Sequence, residues 1–167
     1  ISGTLKVIEP KKSRRLRKCY YKEEFNVALN KENIEPAYLC GRLFAVLERL
    51  QQDAAGGSLN RTIKTAYFAS AASKPVMVFP KLITLAQNHL DKVKRLSQGS
   101  SYKGMRAETY NRLIQEIINP MEGEFPGTFD LLNQGRFIVG YYQQTENFFI
   151  KNEAKSNGKE KEENHGN

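Results

Sequence analysis

The sequence contains few of the residues that metal sites and disulfides need. Its 167 residues include two cysteines, two histidines and no tryptophan. No pair of cysteines or histidines has the spacing of a metal site, so we expect no metal centre. Cys19 and Cys40 are isolated in the sequence, and we expect both to be reduced thiols.

Long apolar runs are also absent. No stretch approaches the roughly 18 consecutive apolar residues of a membrane-spanning helix. No charged, apolar and small pattern near residue 1 marks a secretory signal. We therefore expect a cytoplasmic protein with no membrane partner. Ile1 leaves two alternatives open, a missing initiator or a chain cut from something longer.

Catalytic motifs are missing as well. His89 falls on a predicted buried helix face, where a packed core histidine is commoner than a ligand or a base. Residues 99–104 imitate the start of a P-loop, but Met105 and Arg106 stand where Lys and Ser/Thr are required. There is no G-x-S-x-G elbow. We predict a protein that is not an enzyme and that binds no metal and no cofactor.

Positive charge is abundant and unevenly distributed. The net charge is +8, and residues 42–112 hold twelve Lys/Arg against four acids. Residues 113–150 hold one arginine against five acids. A cationic surface attracts polyanions, of which nucleic acid is the commonest. The alternative is a protein of high pI with no polyanionic partner.

Apolar periodicity predicts an all-α fold, a helical bundle of about five helices. The segment 36–54 organises the rest, because Leu39, Leu43, Val46, Leu47 and Leu50 repeat with the helical period. Pro36 suits its first turn, and Gly56-Gly57 suits its end. Further helices are predicted from an Asn60 cap to Ser73, from Pro80 to Ser97 after a connector at 75–79, from Met105 to Asn119 with Pro120 as its end, and from a Thr128 cap to about Lys151.

Three regions are expected along the chain. Residues 1–30 form a basic lead or arm, and a short extended piece is predicted over 25–35. Residues 31–151 form the helical bundle. Residues 152–167 have no apolar pattern and are expected to be a disordered tail.

The third predicted helix has two contrasting faces. Its apolar face is expected to comprise Leu82, Leu85, Ala86, His89, Val93 and Leu96. Its polar stripe comprises Lys81, Thr84, Asn88, Lys92 and Arg95, with three cations and no acid. A stripe of one sign suggests a phosphate track, and the alternative is an ordinary solvated face.

The last predicted helix has a wide apolar face and two internal glycines. The face comprises Phe137, Ile138, Tyr141, Tyr142, Phe148 and Phe149. Gly135 and Gly140 cost helix stability, so we expect them to permit close approach of a neighbouring helix.

The candidate phosphate contacts are all lysines and arginines. In the bundle they are Arg61, Lys64, Lys74, Lys81, Lys92, Lys94, Arg95, Lys103 and Arg106. A possible arm comprises Lys11, Lys12, Arg14, Arg15, Arg17 and Lys18, and its alternative is a merely solvated lead-in. Arg42 and Arg49, seven residues apart on one helix flank, are assigned to subunit packing or backbone contact.

Aromatic residues offer possible stacking positions for unpaired bases. Tyr102, between basic residues of a loop, is the preferred candidate. The pairs Tyr67-Phe68 and Tyr141-Tyr142 are alternatives, although aromatics at helical spacing are more often part of a core.

Three stretches resemble one family closely. They are NKENIEPAYLCGRLFAVLERLQQDA, LNRTIKTAYFASAASKPVMVFPKLITLAQNHL and FPGTFDLLNQGRFIVGYYQQ. They are similar to the C-terminal part of the large subunit of the type I-C CRISPR Cascade complex, over about residues 30 to 148.

The resemblance implies a helical, non-catalytic protein, made separately from an internal translation start as the small subunit of the complex. Implied partners are the guide RNA, both strands of the target DNA in the R-loop, the backbone subunits, the full-length large subunit and further copies of the chain itself. Base pairing reads the sequence, and the protein contacts backbone and shape. The rival hypothesis is a helical scaffold subunit that contacts only protein neighbours.

Overall fold

The computed structural model describes residues 28–56, 61–99, 102 and 104–162, with side chains described as far as residue 150. Five α-helices and a short 3-10 helix make up this part, and it contains no strand. They are α1 (Pro36–Ala55), α2 (Ile63–Ser73), α3 (Pro75–Leu96), α4 (Ala107–Ile118), the 3-10 helix (Asn119–Met121) and α5 (Leu131–Glu162). The prediction of an all-α fold is confirmed.

The central helix is α1, which contacts all four other α-helices. Pro36 occupies its first turn, and Gly56 ends it with a φ of 66°, a left-handed conformation that favours glycine. The predicted bounds and apolar stripe are confirmed. The helix is nonetheless buried on further sides, because Tyr38, Cys40 and Phe44 are also inside.

Phe44 is the centre of an aromatic cluster in the core. Its ring meets those of Phe68, Phe79, Phe137 and Tyr141 edge to face, at centroid distances of 5.5 to 6.5 Å. Edge-to-face pairs of this kind contribute stability beyond the apolar area that they bury. The cluster joins four of the five helices, α1, α2, α3 and α5.

Two glycines allow α1 and α5 to lie in backbone contact. Gly140 of α5 lies against the carbonyl oxygen of Tyr38, and Gly41 of α1 lies against that of Phe137. A Cβ at either position would overlap that oxygen. The predicted role is confirmed for Gly140 and wrong for Gly135, which has no neighbouring atom within 4 Å of such a Cβ.

Helices α2 and α3 are joined by Lys74 alone. The hydroxyl of Thr62 caps α2 by accepting a hydrogen bond from the Thr65 amide at 3.2 Å. The cap predicted at Asn60 lies outside the described residues, and α2 begins later than predicted.

Helix α3 begins at Pro75, so residues 75–79 are helical and the predicted connector is wrong. Pro80 lies inside the helix, where it removes one backbone hydrogen bond. Two bonds from a distant loop anchor this region: Val76 N donates to Pro126 O at 3.1 Å, and Phe129 N donates to Ser73 O at 2.9 Å. These tertiary contacts stabilise the helical start despite Pro80.

The buried face of α3 is partly as predicted. Leu82, Ala86 and Val93 are buried, but Leu85 and Leu96 are 37% and 39% exposed, and His89 is half-buried. The additional buried residues are Pro75, Val78, Phe79 and Leu90. The longer helix therefore has a buried stripe that is rotated away from the predicted one.

Helix α4 buries Tyr110, Ile114 and Ile117 as predicted, while Leu113 is half-buried. Pro120 lies in the 3-10 helix that follows, which confirms the predicted end. Asp53 ties α1 to this region, because its carboxylate accepts hydrogen bonds from the Met105 amide at 2.9 Å and the Tyr110 hydroxyl at 2.7 Å.

Helix α5 begins after Asp130, whose carboxylate accepts a hydrogen bond from the Asn133 amide at 2.8 Å. The predicted cap, Thr128, lies before this turn. The helix continues to Glu162, beyond the predicted end at Lys151 and into the segment for which disorder was expected. Alanine, lysine and glutamate are good helix formers that readily propagate an existing helix. Residues 163–167 lie outside the described part.

The segment before α1 turns at residues 31–32, and Glu35, next to the helix, has an extended backbone. Asn30 and Asn33 each accept, through the side-chain oxygen, a hydrogen bond from the amide two residues on, at 3.0 and 2.8 Å. These turns interrupt the part of the predicted extended piece that is described, residues 28–35. The remaining residues of the basic arm, 1–27, lie outside the described part.

Candidate nucleic-acid interface

Lys81 of α3 and Arg61, which precedes α2, both act on Tyr67 of α2. Every position of the predicted polar stripe of α3 is exposed. Lys81 reaches toward α2, where its Nζ lies 5.2 Å from the ring centroid of Tyr67. Arg61, just before α2, is close enough to act on the same tyrosine. We call Arg61, Tyr67, Lys81, Lys92 and Arg95 the basic face.

Tyr67 places an aromatic ring among these cations. Hydrogen bonding and charge attraction from Lys81 lower the pKa of Tyr67, and Arg61 lowers it further. Tyr67 is half-buried, and cations beside a partly exposed aromatic ring are typical of surfaces that bind single-stranded nucleic acid. The sequence analysis included Tyr67 only as an alternative stacking residue.

The positive charge of the basic face is not neutralised by the described part of the chain. Residues 61–96 contain seven Lys/Arg and one acid, Asp91. The guanidinium of Arg95 donates to the backbone oxygen of Asp91, at 3.3 Å. Among the described residues, ion pairs form at Arg42–Glu116, Arg49–Asp53 and Arg136–Glu35, and none includes a cation of the basic face.

Lys64 borders the basic face, at the junction of α2 and α5. Its ammonium lies 4.7 Å from the ring centroid of Tyr141, 5.4 Å from Tyr142 and 5.7 Å from Phe68. Hydrogen bonding to Tyr141 raises the pKa of Lys64, and partial burial opposes this. The side chain is therefore a positioned cation and not a freely moving one.

The other predicted contacts are dispersed. Lys74 is exposed at the α2–α3 junction, and Arg106 is exposed just before α4. Lys94 is exposed on a flank of α3 away from the polar stripe, because it is two residues from Lys92 on a helix. Lys103 and the six arm residues, Lys11, Lys12, Arg14, Arg15, Arg17 and Lys18, lie outside the described residues.

Arg42 has an internal role that the sequence analysis missed. Its side chain is 1% exposed, and its guanidinium donates to Glu116 and Gln144, each at 3.3 Å. A buried guanidinium with these partners is not available to a neighbouring subunit or a phosphate, so that assignment is corrected. Arg49 is half-buried and pairs with Asp53 at 3.2 Å.

The candidate stacking residues differ in how far their rings are buried. Tyr102 is half-buried against the core, and its hydroxyl donates to Met105 O at 2.9 Å. Burial raises its pKa to about 12. Tyr141 is buried and Phe68 packs against the core, whereas Tyr142 is 55% exposed. Tyr67 is likewise partly buried against the core, so Tyr142 is the exposed ring among these candidates, and stacking on Tyr102 stays a prediction.

The described residues contain no group of three or more His, Cys, Asp or Glu that could hold a metal ion. Helices in the same part of the chain are all too short or too polar to cross a bilayer.

A comparison with protein families identifies the chain at family level. The model described as "CRISPR-associated protein (Cas_Csd1)" matches residues 3–149. The chain belongs to this CRISPR-associated family. The match covers the basic face, the central helix and most of α5. No curated protein matches the sequence.

Proposed function

We propose that this chain is a non-catalytic small subunit of a type I-C CRISPR Cascade surveillance complex in the cytoplasm. It binds the phosphate backbone of the target and displaced DNA strands near the guide RNA and stabilises the R-loop. Its protein neighbours are the backbone subunits, the full-length large subunit and further copies of itself. Family membership supports a CRISPR role, and the remaining steps are our inference.

The observation that carries the proposal is the uncompensated charge of the basic face. Lys81, Lys92 and Arg95 are exposed on one side of α3 and form no ion pair with described residues. Such cations neutralise phosphates and release counterions, which makes affinity strongly dependent on salt. They contact no base edge in this mode, so binding is insensitive to sequence.

The first test reverses the charge of these side chains. In the assembled complex, Lys81→Glu/Lys92→Glu/Arg95→Glu should weaken target binding and flatten its salt dependence. Loss of three phosphate contacts lowers the slope of log K against log salt by about 2 for a single strand. Circular dichroism checks that the bundle remains folded.

A matched control separates a local effect from a change in total charge. Lys31 and Arg112 are exposed and lie outside the basic face. Lys31→Glu/Arg112→Glu alters the net charge by the same amount as Lys81→Glu/Lys92→Glu. Equal affinities and equal salt slopes for these two double variants would refute the phosphate role of α3.

A second function, protein scaffolding, is favoured by the outer side of α5. Leu131, Leu132, Val139, Phe149 and Ile150 are each at least 50% exposed. An apolar surface of this kind is typical of a protein contact site. If every charge-reversed variant still assembles into the complex and the complex binds target as tightly as the unmodified one, the subunit acts only as a protein scaffold.

A further inference from the structure

A small cleft of about 230 Å³ opens where α1, α2 and α5 meet. Its polar lining includes Glu48, Gln52, Lys64 and Thr145, and Tyr141 and Phe149 supply aromatic surface. Pockets for drug-sized ligands measure roughly 300–1,000 Å³. The cleft is therefore smaller than a pocket for a drug-sized ligand, and its volume suits a single ring system.

Glu48 brings a carboxylate with one available oxygen to this cleft. Its Oε2 accepts a hydrogen bond from the Tyr141 hydroxyl at 2.5 Å. Its Oε1 has no hydrogen-bond partner among the described residues. This oxygen is also not fully shielded from solvent. Since Glu48 lines the cleft, Oε1 is an acceptor that a ligand in the cleft can reach.

Lys64 links the cleft to the nucleic-acid surface. The three rings around its ammonium hold it at the cleft wall, and Arg61 of the basic face precedes it by three residues. Lys64 and Tyr67 are three residues apart in α2 and so share one side of that helix, which puts the cleft opening beside the basic face. Phe149, at the cleft wall, and the neighbouring Tyr142 are both 55% exposed and available for stacking.

We infer that the cleft receives one unpaired nucleobase from the strand on the basic face, with Glu48 accepting a hydrogen bond from the Watson–Crick edge of the base. This inference rests on the proposed function. Every nucleobase has an N–H donor on that edge, and pairing occupies it in a duplex. The cleft thus recognises a strand because it is unpaired, with little regard to sequence.

Charge favours a base over a cationic side chain from a protein partner. Lys64 already occupies the cation position against the aromatic rings, and Arg49 also lines the cleft. A second ammonium or guanidinium there would be repelled. A neutral base with an N–H donor satisfies Glu48 without that repulsion.

The experiment compares an oligonucleotide carrying 2-aminopurine with one of equal length carrying abasic sites. Both are added to the full chain and to the complex. Glu48→Gln keeps the size of the side chain. Its amide oxygen is expected to accept the hydrogen bond from the Tyr141 hydroxyl, so that its NH2 group, a donor, faces the cleft. Glu146→Gln is the matched control, since Glu146 is exposed and does not line the cleft.

We expect the unmodified protein and Glu146→Gln to bind the base-containing strand roughly tenfold more tightly than the abasic strand, as for a hydrogen bond to a charged group. Glu48→Gln should lose this difference and the change in 2-aminopurine fluorescence. Thermal unfolding checks that it is folded.

Equal binding of the two strands by the unmodified protein overturns the base cleft and leaves the proposed function standing. If neither the isolated chain nor the complex binds either strand, both the base cleft and the proposed function are overturned. Binding of an oligolysine peptide that Glu48→Gln abolishes, with 2-aminopurine unaffected, would instead assign the cleft to a protein partner.

Discussion

Replacement of Gly135 and Gly140 by alanine should have opposite effects on stability, although both lie in α5. Alanine is the better helix former by about 1 kcal/mol. At Gly135 the new Cβ has no neighbour within 4 Å, so Gly135→Ala should show most of that gain. At Gly140 the Cβ overlaps the carbonyl oxygen of Tyr38 in α1.

The size of the destabilisation by Gly140→Ala depends on which atom the new Cβ meets. The carbonyl oxygen of Tyr38 lies in the first turn of a buried helix and cannot rotate away as a side chain can, so α1 and α5 must separate. Overpacking of this kind costs roughly 1–3 kcal/mol or more. Taking about 3 kcal/mol and subtracting the gain of about 1 kcal/mol in helix propensity leaves about 2 kcal/mol of destabilisation.

Thermal melts followed by circular dichroism measure the difference. At about 2–4 °C per kcal/mol for a chain of this size, Gly140→Ala should melt about 4–8 °C below the unmodified protein. Gly135→Ala should melt about 2–4 °C above it. Equal melting temperatures for the two variants would refute the close contact between α1 and α5.

Two further predictions concern buried groups. Burial raises the pKa of the Cys40 thiol from 9.0 to about 12, so the folded state keeps its proton better than the unfolded state, and this contribution to stability is lost as pH rises from about 9 toward 12. In a Cys19→Ser background, Cys40 should therefore resist iodoacetamide at pH 8 until urea unfolds the protein, and alkylation of the folded chain would contradict this. Glu116→Ala should lower the free energy of unfolding by roughly 1.5–3 kcal/mol in urea titrations, because it leaves the buried Arg42 guanidinium without its carboxylate. Glu146→Ala, an exposed change, should have little effect, and an equal loss in both variants would exclude a special role for the Arg42 pair.

The bounds of α1 were predictable because its signals are local. Pro36 at its start, a glycine at its end and a regular apolar repeat all lie within one segment. The start of α3 was not predictable, because Pro80 discourages a helix and the opposing contacts come from Pro126 and Phe129. No local pattern reveals a hydrogen bond to a loop so far along the chain.

The candidate interface was predictable where charge and periodicity coincide. The polar stripe of α3 is exposed as expected, but the partner supplied by α2, Tyr67, depends on how the two helices pack. Arg42 shared a helix flank with Arg49, which suggested exposure for both. The packing of other helices around α1 buries Arg42 against Glu116 and Gln144, and the sequence alone does not position those partners.

The position of α1 also determines when the protein can fold during synthesis. The bonds from its residues Tyr38, Arg42 and Glu48 to α5 join positions 105, 102 and 93 apart in the sequence. While the ribosome is still making α2 to α4, the central helix α1 has no α5 to cover it. Contacts of such long range slow folding and prolong the exposure of apolar surface. The apolar face of α1 is therefore exposed to aggregation until α5 has left the exit tunnel.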